Sequence, residues 1–212
     1  MRPLRLCLVR HGETPWNAEH RLQGWTDIPL NAKGERQAQA LAAELSTVAF
    51  DAIVSSPLLR AWHTAQAVAA RQPGVLCVPE PRLRERHHGD WQGLTRAEIA
   101  QHDPEQHALL QSRSPSYLPP GGERLDAFSA RVRAALADLR SQHPEGTVLA
   151  VAHGGVLDMA YRLATGQDLF TPRQHALPNA AINWLLADAR GWHVEAWGLG
   201  SHLDTALDDQ GG

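Results

Sequence analysis

Cysteine is scarce in this chain: Cys7 and Cys77 are the only two among 212 residues. A pair this sparse is no disulfide framework, and neither has the spacing of a metal ligand. Each sits in an apolar run, which predicts two buried thiols in core strands. Positive charge is not in surplus either. The formal net charge is −3, and a general nucleic-acid binder would carry the opposite sign. No apolar run reaches the roughly 20 residues that a bilayer demands. The N-terminal stretch is too short for a signal peptide and has no small-residue cleavage site. The expectation is therefore a cytoplasmic protein with neither nucleic acid nor membrane as partner, its homo-oligomeric state left open. No segment repeats itself. What is present is a globular composition, 43% hydrophobic and 20% charged, of a length that suits one domain with a sizeable core.

Short, continuous apolar runs at 4–9, 50–56, 75–80 and 146–152 read as strands covered on both faces. Two more, at 180–187 and 192–197, are separated by Asp188-Ala189-Arg190-Gly191, which predicts a hairpin. Helical periodicity lies between them. Over 31–46, Ala38, Leu41, Ala42 and Leu45 share a face and Asn31 is placed to cap. Over 123–140, Leu125, Phe128, Val132, Ala135, Leu136 and Leu139 do the same. Residues 58–71 and 154–164 also read as helices. Strands alternating with helices predict an α/β fold with a mostly parallel, mixed sheet. Residues 85–122 break the pattern and read as an irregular excursion over one sheet edge, within a single domain spanning 1–200. The acidic, glycine-ended tail of 201–212 is expected to be disordered.

Three segments repeat one grammar of apolar strand, polar signature and helix. They are "LCLV-RHGET", "AIVSS-PLLRAWHTA" and "VLAVA-HGGVLDMA". In a parallel sheet all three signatures emerge at the carboxyl edge, where α/β proteins place their ligands. Arg10 and Arg60 bring planar forks suited to phosphate oxygens. Gly12, Gly154 and Gly155 allow backbone amides to approach closely, and a helix beginning near Gly154 aims its N-terminus at the same place. His11 and His153 add two imidazoles. Such a cluster attracts anions in a chain of net negative charge. A metal fits poorly, because no acid sits with the histidines and the arginines repel cations. A phosphoryl group fits well. Its transfer needs an in-line nucleophile, cations over the equatorial oxygens and a proton for the leaving alkoxide. A neutral histidine whose second nitrogen is held can be the nucleophile. Glu85, at the start of the irregular excursion, can hang over the sheet edge as the proton donor.

Arg10-His11-Gly12-Glu13-Thr14, Ser55-Ser56-Pro57-Leu58-Leu59-Arg60-Ala61, Glu85 within "LRERHHGDWQG", Pro120-Gly121-Gly122-Glu123 and Ala152-His153-Gly154-Gly155 resemble the histidine phosphatase superfamily, also called phosphoglycerate mutase-like. The resemblance runs from about residue 5 to 200. It implies a three-layer α/β/α sandwich, a phosphohistidine intermediate and no metal. By matched position His11 is the nucleophile, Arg10, Arg60 and His153 complete the phosphate pocket, and Glu85 is the proton donor. Asn17, Gln23, Gly24 and the Gly154 amide are further phosphate or substrate contacts.

Two activities share the first step. A phosphatase lets water take the phosphoryl group; a mutase excludes water and returns the group to a phosphoglycerate. "ERHHGDWQGLTR" resembles the cofactor-dependent mutases, with His88 at a tyrosine position and Arg96 at a lysine position. Gln23 followed by Gly24 resembles the phosphatase branch, and the chain between Glu85 and His153 is short, with the lone Arg113 in "SRSPSYLPPGGE". Less cover means more water at the phosphohistidine. The reading is a phosphomonoesterase acting on a small phosphorylated metabolite without a cofactor. The alternatives are a mutase using 2,3-bisphosphoglycerate and a non-catalytic binding module. Arg86, Arg96 and Arg113 are the candidate specificity residues, with Arg124 beside them, although an isolated arginine is more often a solvated charge. Trp91 is the tryptophan placed to wall the site. Of the adjacent His87 and His88, at least one is expected at the surface. Glu13 is either a support for the site or an acid at a helix start.

Overall fold

The computed structural model describes residues 2–203. Six strands, β1 (Leu4–Arg10), β2 (Ala52–Ser55), β3 (Cys77–Pro79), β4 (Thr147–Ala152), β5 (Ile182–Asp188) and β6 (Gly191–Leu199), form one sheet in the order β3-β2-β4-β1-β5-β6. Of these, only β5 runs against the others, and it pairs with β6 as the hairpin that the short connection predicts. The mixed, mostly parallel sheet is as expected.

Seven helices surround it: α1 (Pro15–Ala18), α2 (Ala32–Glu44), α3 (Leu59–Ala69), α4 (Arg96–His102), α5 (Pro104–Gln111), α6 (Leu125–Gln142) and α7 (Gly154–Thr165). Successive side chains of a strand point to opposite faces, which explains why β1 and β4 are apolar without interruption. Leu4, Leu6 and Leu8 pack with Val148 and Ala150 against Phe128 and Val132 of α6 and Val156 and Leu157 of α7. Cys7 and Val9 pack with Leu149 and Val151 against Leu41 of α2 and Ala61, Ala65 and Val68 of α3. Two cores on two faces make the three-layer sandwich.

Four details differ from the sequence reading. Residues 85–122 are not wholly irregular. Thr95 and Glu98 form a reciprocal capping box that starts α4, and Asp103 caps α5. Both helices are short and α5 buries no residue, so little apolar periodicity marks them. A small core of Trp91, Ile99 and Tyr117 holds the excursion together, so Trp91 is a packing residue rather than a site wall. At the C-terminus, Ser201–Leu203 form an ordered turn with Leu203 buried; the rest of the expected disordered tail lies outside the described residues. Cys77 is only half-buried because β3 is an edge strand. Burial pushes its thiol up to about 11 and raises that of Cys7 further.

Candidate active site

Parallel register brings the site together. Arg10 of β1 lies opposite Ala152 of β4, so His11 and His153 leave the sheet side by side, and the His11 amide donates to Ala152 O at 3.0 Å. Their ring centroids are 5.1 Å apart. Ser55 of β2 lies opposite Val151, which sets Ser56 next to His153. All of these residues emerge at the carboxyl edge, as the shared grammar of the three segments predicts.

His11 is buried, and its Nδ1 lies 2.7 Å from the carbonyl oxygen of Gly12. A carbonyl oxygen can only accept, so the ring nitrogen is the donor: the proton belongs on Nδ1 and the lone pair on Nε2. Burial, with Arg60 and Arg10 adding to it, holds the ring well below the usual histidine range, so the imidazole is neutral. The Gly12 amide donates to Thr64 Oγ1 at 3.0 Å. A Cβ on Gly12 would lie 2.5 Å from the Gly34 carbonyl oxygen, so glycine is what lets this turn rest on the start of α2. Glu13 supports the same junction. Its carboxylate accepts from Asn31 Nδ2 at 2.9 Å and meets Lys33 Nζ at 3.0 Å.

Arg10 donates through Nη1 to Leu177 O at 2.5 Å. Arg60, fully buried, donates through Nη1 to Thr26 O and through Nη2 to Gly24 O. In both guanidiniums the buried Nε has no hydrogen-bond partner among the described residues. Burial brings each down to about 10, which leaves both charged at neutral pH. His153 is also buried. Its Nε2 is 2.7 Å from Ser56 Oγ, and its Nδ1 has no partner among the described residues. Burial and then Arg60 hold this ring neutral as well. A buried donor without an acceptor costs about 1–3 kcal/mol. Several of them gathered around one histidine define a place for an anion.

Glu85 closes the site. Its Oε2 accepts from the Gly155 amide at 3.0 Å and its Oε1 from the Arg86 amide at 2.8 Å. Gly155 is in the first turn of α7, where free amides and the helix dipole favour a carboxylate. The backbone of Glu85 is held too. Its carbonyl accepts from Trp25 Nε1 at 2.7 Å and from Arg131 Nη2 at 2.8 Å. Arg131 also bonds the carbonyls of Arg82 and Arg84 and pairs with Glu123. The glycine-rich run ending at Glu123 therefore anchors the segment that carries the acid.

Beside Glu85 and Gly155 lies a cavity of about 350 Å³. Arg86, Arg96 and Arg113 line it together with His88, whose ring burial pushes down to about 3. His87 instead meets the edge of the Trp25 ring. Arg113 is no solvated charge. It is part-buried and pairs with the buried Asp158 at 3.0 Å. Arg124 does face solvent, pairing with Asp126. Among the expected phosphate contacts, Asn17 spends its Oδ1 on the Thr14 capping box of α1. Gln23 is buried with Oε1 unpartnered among the described residues. Gly24 acts through its carbonyl on Arg60, and a Cβ on Gly154 would stand 3.6 Å from Arg10 Nε.

Sequence reasoning missed several supports. Thr64, Trp25, Arg131, Tyr117 and Asp158 carry no local signal of their roles, because each acts across the fold. Asn179, whose Nδ2 donates to the His11 carbonyl at 2.8 Å, comes from the loop before β5, 168 residues away in the chain. Among the described residues no three His, Cys, Asp or Glu side chains are grouped to hold a metal.

The chain matches the family described as the histidine phosphatase superfamily (branch 1) over residues 6–200. It is 37% identical over 202 residues to the phosphoglycerate mutase-like protein 4 of Arabidopsis thaliana, covering 94% of this chain and 86% of that one. It is also 37% identical over 204 residues to a metal-independent phosphoserine phosphatase of the same plant, covering 94% and 83%. Among solved structures, Bacillus stearothermophilus YhfR superimposes with a TM-score of 0.88 at 34% identity, over 95% of this chain and all of that one. A family match over nearly the whole chain, a shared fold and two neutral histidines among arginines at one sheet edge agree: the chain belongs to branch 1 of the histidine phosphatase superfamily.

Proposed function

We propose that this enzyme hydrolyses the phosphomonoester of a small metabolite through a phosphohistidine formed on His11 Nε2. The observation that carries the reading is the Nδ1 contact of His11 with the Gly12 carbonyl, which leaves Nε2 as the free nucleophile of a neutral ring. In this reading Nε2 attacks phosphorus while Arg10, Arg60 and His153 meet the equatorial oxygens. Glu85 acts as the proton donor to the leaving alkoxide. Its carboxylate then takes a proton from the water that attacks the phosphohistidine, and phosphate leaves. Asn17, Gln23 and the Gly154 amide serve as additional contacts to the phosphoryl group. The scheme uses neither metal nor cofactor.

Hydrolysis rather than phosphoglycerate mutation is favoured by the light cover. Two short helices and the loop to Glu123 are what the chain places over the site between Glu85 and His153. A cytoplasmic location suits two unpaired cysteines and a small-metabolite substrate. The test is phosphate release from an aryl phosphate, run beside a 3-phosphoglycerate mutase assay with added bisphosphoglycerate. Release without mutase turnover supports the reading, mutase turnover replaces it, and phosphate binding without any release leaves a binding module.

A further inference from the structure

Asp158 is a buried acid that the hydrolytic scheme does not use. It is 3% exposed and lies one turn into α7, on the side of the helix that begins with Gly154 and Gly155. Arg113 Nη1 lies 3.0 Å from one of its carboxylate oxygens. Arg162 Nε and His175 Nε2 lie 3.1 and 3.3 Å from the other. A buried carboxylate without such partners is costly, yet a buried ion cluster adds little stability beyond an apolar core of the same volume. What the cluster supplies is one fixed geometry.

All three partners lead to one loop. Residues 166–181, between α7 and β5, form neither helix nor strand, a length at which a loop is usually functional. Arg162 also donates through Nη1 to Asp168 O, and Arg113 through Nε to Leu169 O at 3.1 Å. His175 belongs to the loop itself, and its ring stacks on Tyr161 with centroids 4.0 Å apart. Trp197 Nε1 then donates to Ala176 O at 3.1 Å. The next residue, Leu177, provides the carbonyl that receives Arg10 Nη1. Asn179 holds the His11 carbonyl, and the Ala180 amide donates to Arg10 O at 2.9 Å. The loop thus begins on the Asp158 cluster and ends on the phosphate grip.

Resting on the phosphatase reading, we propose that Asp158 is a positioning residue for the phosphoryl group. Through Arg113, Arg162 and His175 it fixes the loop whose Leu177 carbonyl sets the guanidinium of Arg10. A guanidinium is planar, so a carbonyl on Nη1 also orients its other N–H bonds, among them the Nε that has no partner among the described residues. Loosening the loop lets that plane turn, and a misplacement of about 1 Å costs up to about 10²-fold. Arg10 meets the phosphoryl group of every ester, so the loss is blind to the leaving group. That separates Asp158 from Glu85 and its Arg131 clamp, whose loss falls on alkyl esters.

Inorganic phosphate is the probe. Its binding is read by calorimetry in the enzyme and in an Arg10→Ala background, with melting temperatures to select folded variants. Asp158→Asn and His175→Ala should each weaken phosphate about tenfold, within the range that misplacement of a binding group produces. His175→Gln, which keeps a donor toward Asp158, should recover most of that loss. The drop in kcat/KM should be equal on alkyl and aryl esters. In Arg10→Ala the same substitutions should cost less than about twofold, because side chains that act through one residue are not additive with its removal. Should Asp158→Asn strand its arginines and fail to fold, His175→Ala and His175→Gln decide. Unchanged phosphate affinity in folded His175→Ala, an equal loss with and without Arg10, or a loss confined to alkyl esters overturns the assignment. The expected phosphate binding without release from any ester overturns the hydrolytic reading alone.

Discussion

The Gly155 amide donates to Glu85 Oε2 at 3.0 Å, and a Cβ on Gly155 would lie 2.2 Å from the other carboxylate oxygen. The glycine at this helix start is therefore defined by the acid that rests on it. Gly155→Ala must drive the Glu85 side chain off the helix N-terminus. Turnover of alkyl phosphates should drop by about 10²–10⁴, the scale of general acid catalysis, while aryl phosphates, whose leaving groups need no proton, lose much less. Glu85→Gln should give the same leaving-group dependence. Equal losses on both ester classes would remove Glu85 from the donor role.

Arg131 is a positioning residue that reaches substrate through nothing of its own. It clamps the carbonyls of Arg82, Arg84 and Glu85 and is itself held by Glu123. Arg131→Lys replaces a planar fork with a single ammonium and cannot span these acceptors. Activity on alkyl esters should fall about tenfold or more, by loss of the orientation that proximity requires, with aryl ester turnover close to unchanged. A uniform loss on both classes, paired with a lower melting temperature, would make Arg131 only a structural tie.

His11→Ala should abolish turnover and also the acid-labile label left by a phosphorylated substrate. Phosphate affinity should survive, because Arg10, Arg60 and His153 remain. Labelling that persists in this variant would move the nucleophile elsewhere, with His153 the first candidate given its unpartnered Nδ1 among the described residues.

Acid should destabilise the free enzyme. His11 and His153 stay neutral in the fold to well below the usual range, and His88 to about 3, in each case mainly through burial. In the unfolded chain such rings take up protons near pH 6.5. The unfolded state therefore binds more protons as pH drops below that value, and stability falls with it. At 1.36 kcal/mol per unit, His88 accounts for about 2 kcal/mol by pH 5, and His11 and His153 act in the same direction. Denaturant titrations at pH 7.5 and 5 in phosphate-free buffer measure this, and His88→Gln should reduce the difference. A stability that does not change over that range would mean the rings protonate in place.

The strand-and-helix order was readable because burial on both faces writes a continuous apolar run into β1 and β4, and burial on one face writes a 3.6-residue period into α2 and α6. Arg10, His11, Arg60 and His153 were readable for a related reason: each sits at the end of a core strand or in the first turn of the helix that follows one, so local sequence gives its place at the sheet edge. Helices α4 and α5 left a faint trace, since seven or eight residues with few buried side chains carry little periodicity.

Contacts across the chain carry no such trace. Nothing in the sequence around Gly155 says that its amide meets an acid 70 residues earlier, or that Arg113 would be drawn onto a buried Asp158. The amino-acid order was enough for the α/β fold, the family and the phosphate-gripping residues, because these depend on short-range pattern. The clamp on Glu85 and the cationic cavity beside it were decided by tertiary packing, where distant segments set which donors are paired and which are left open.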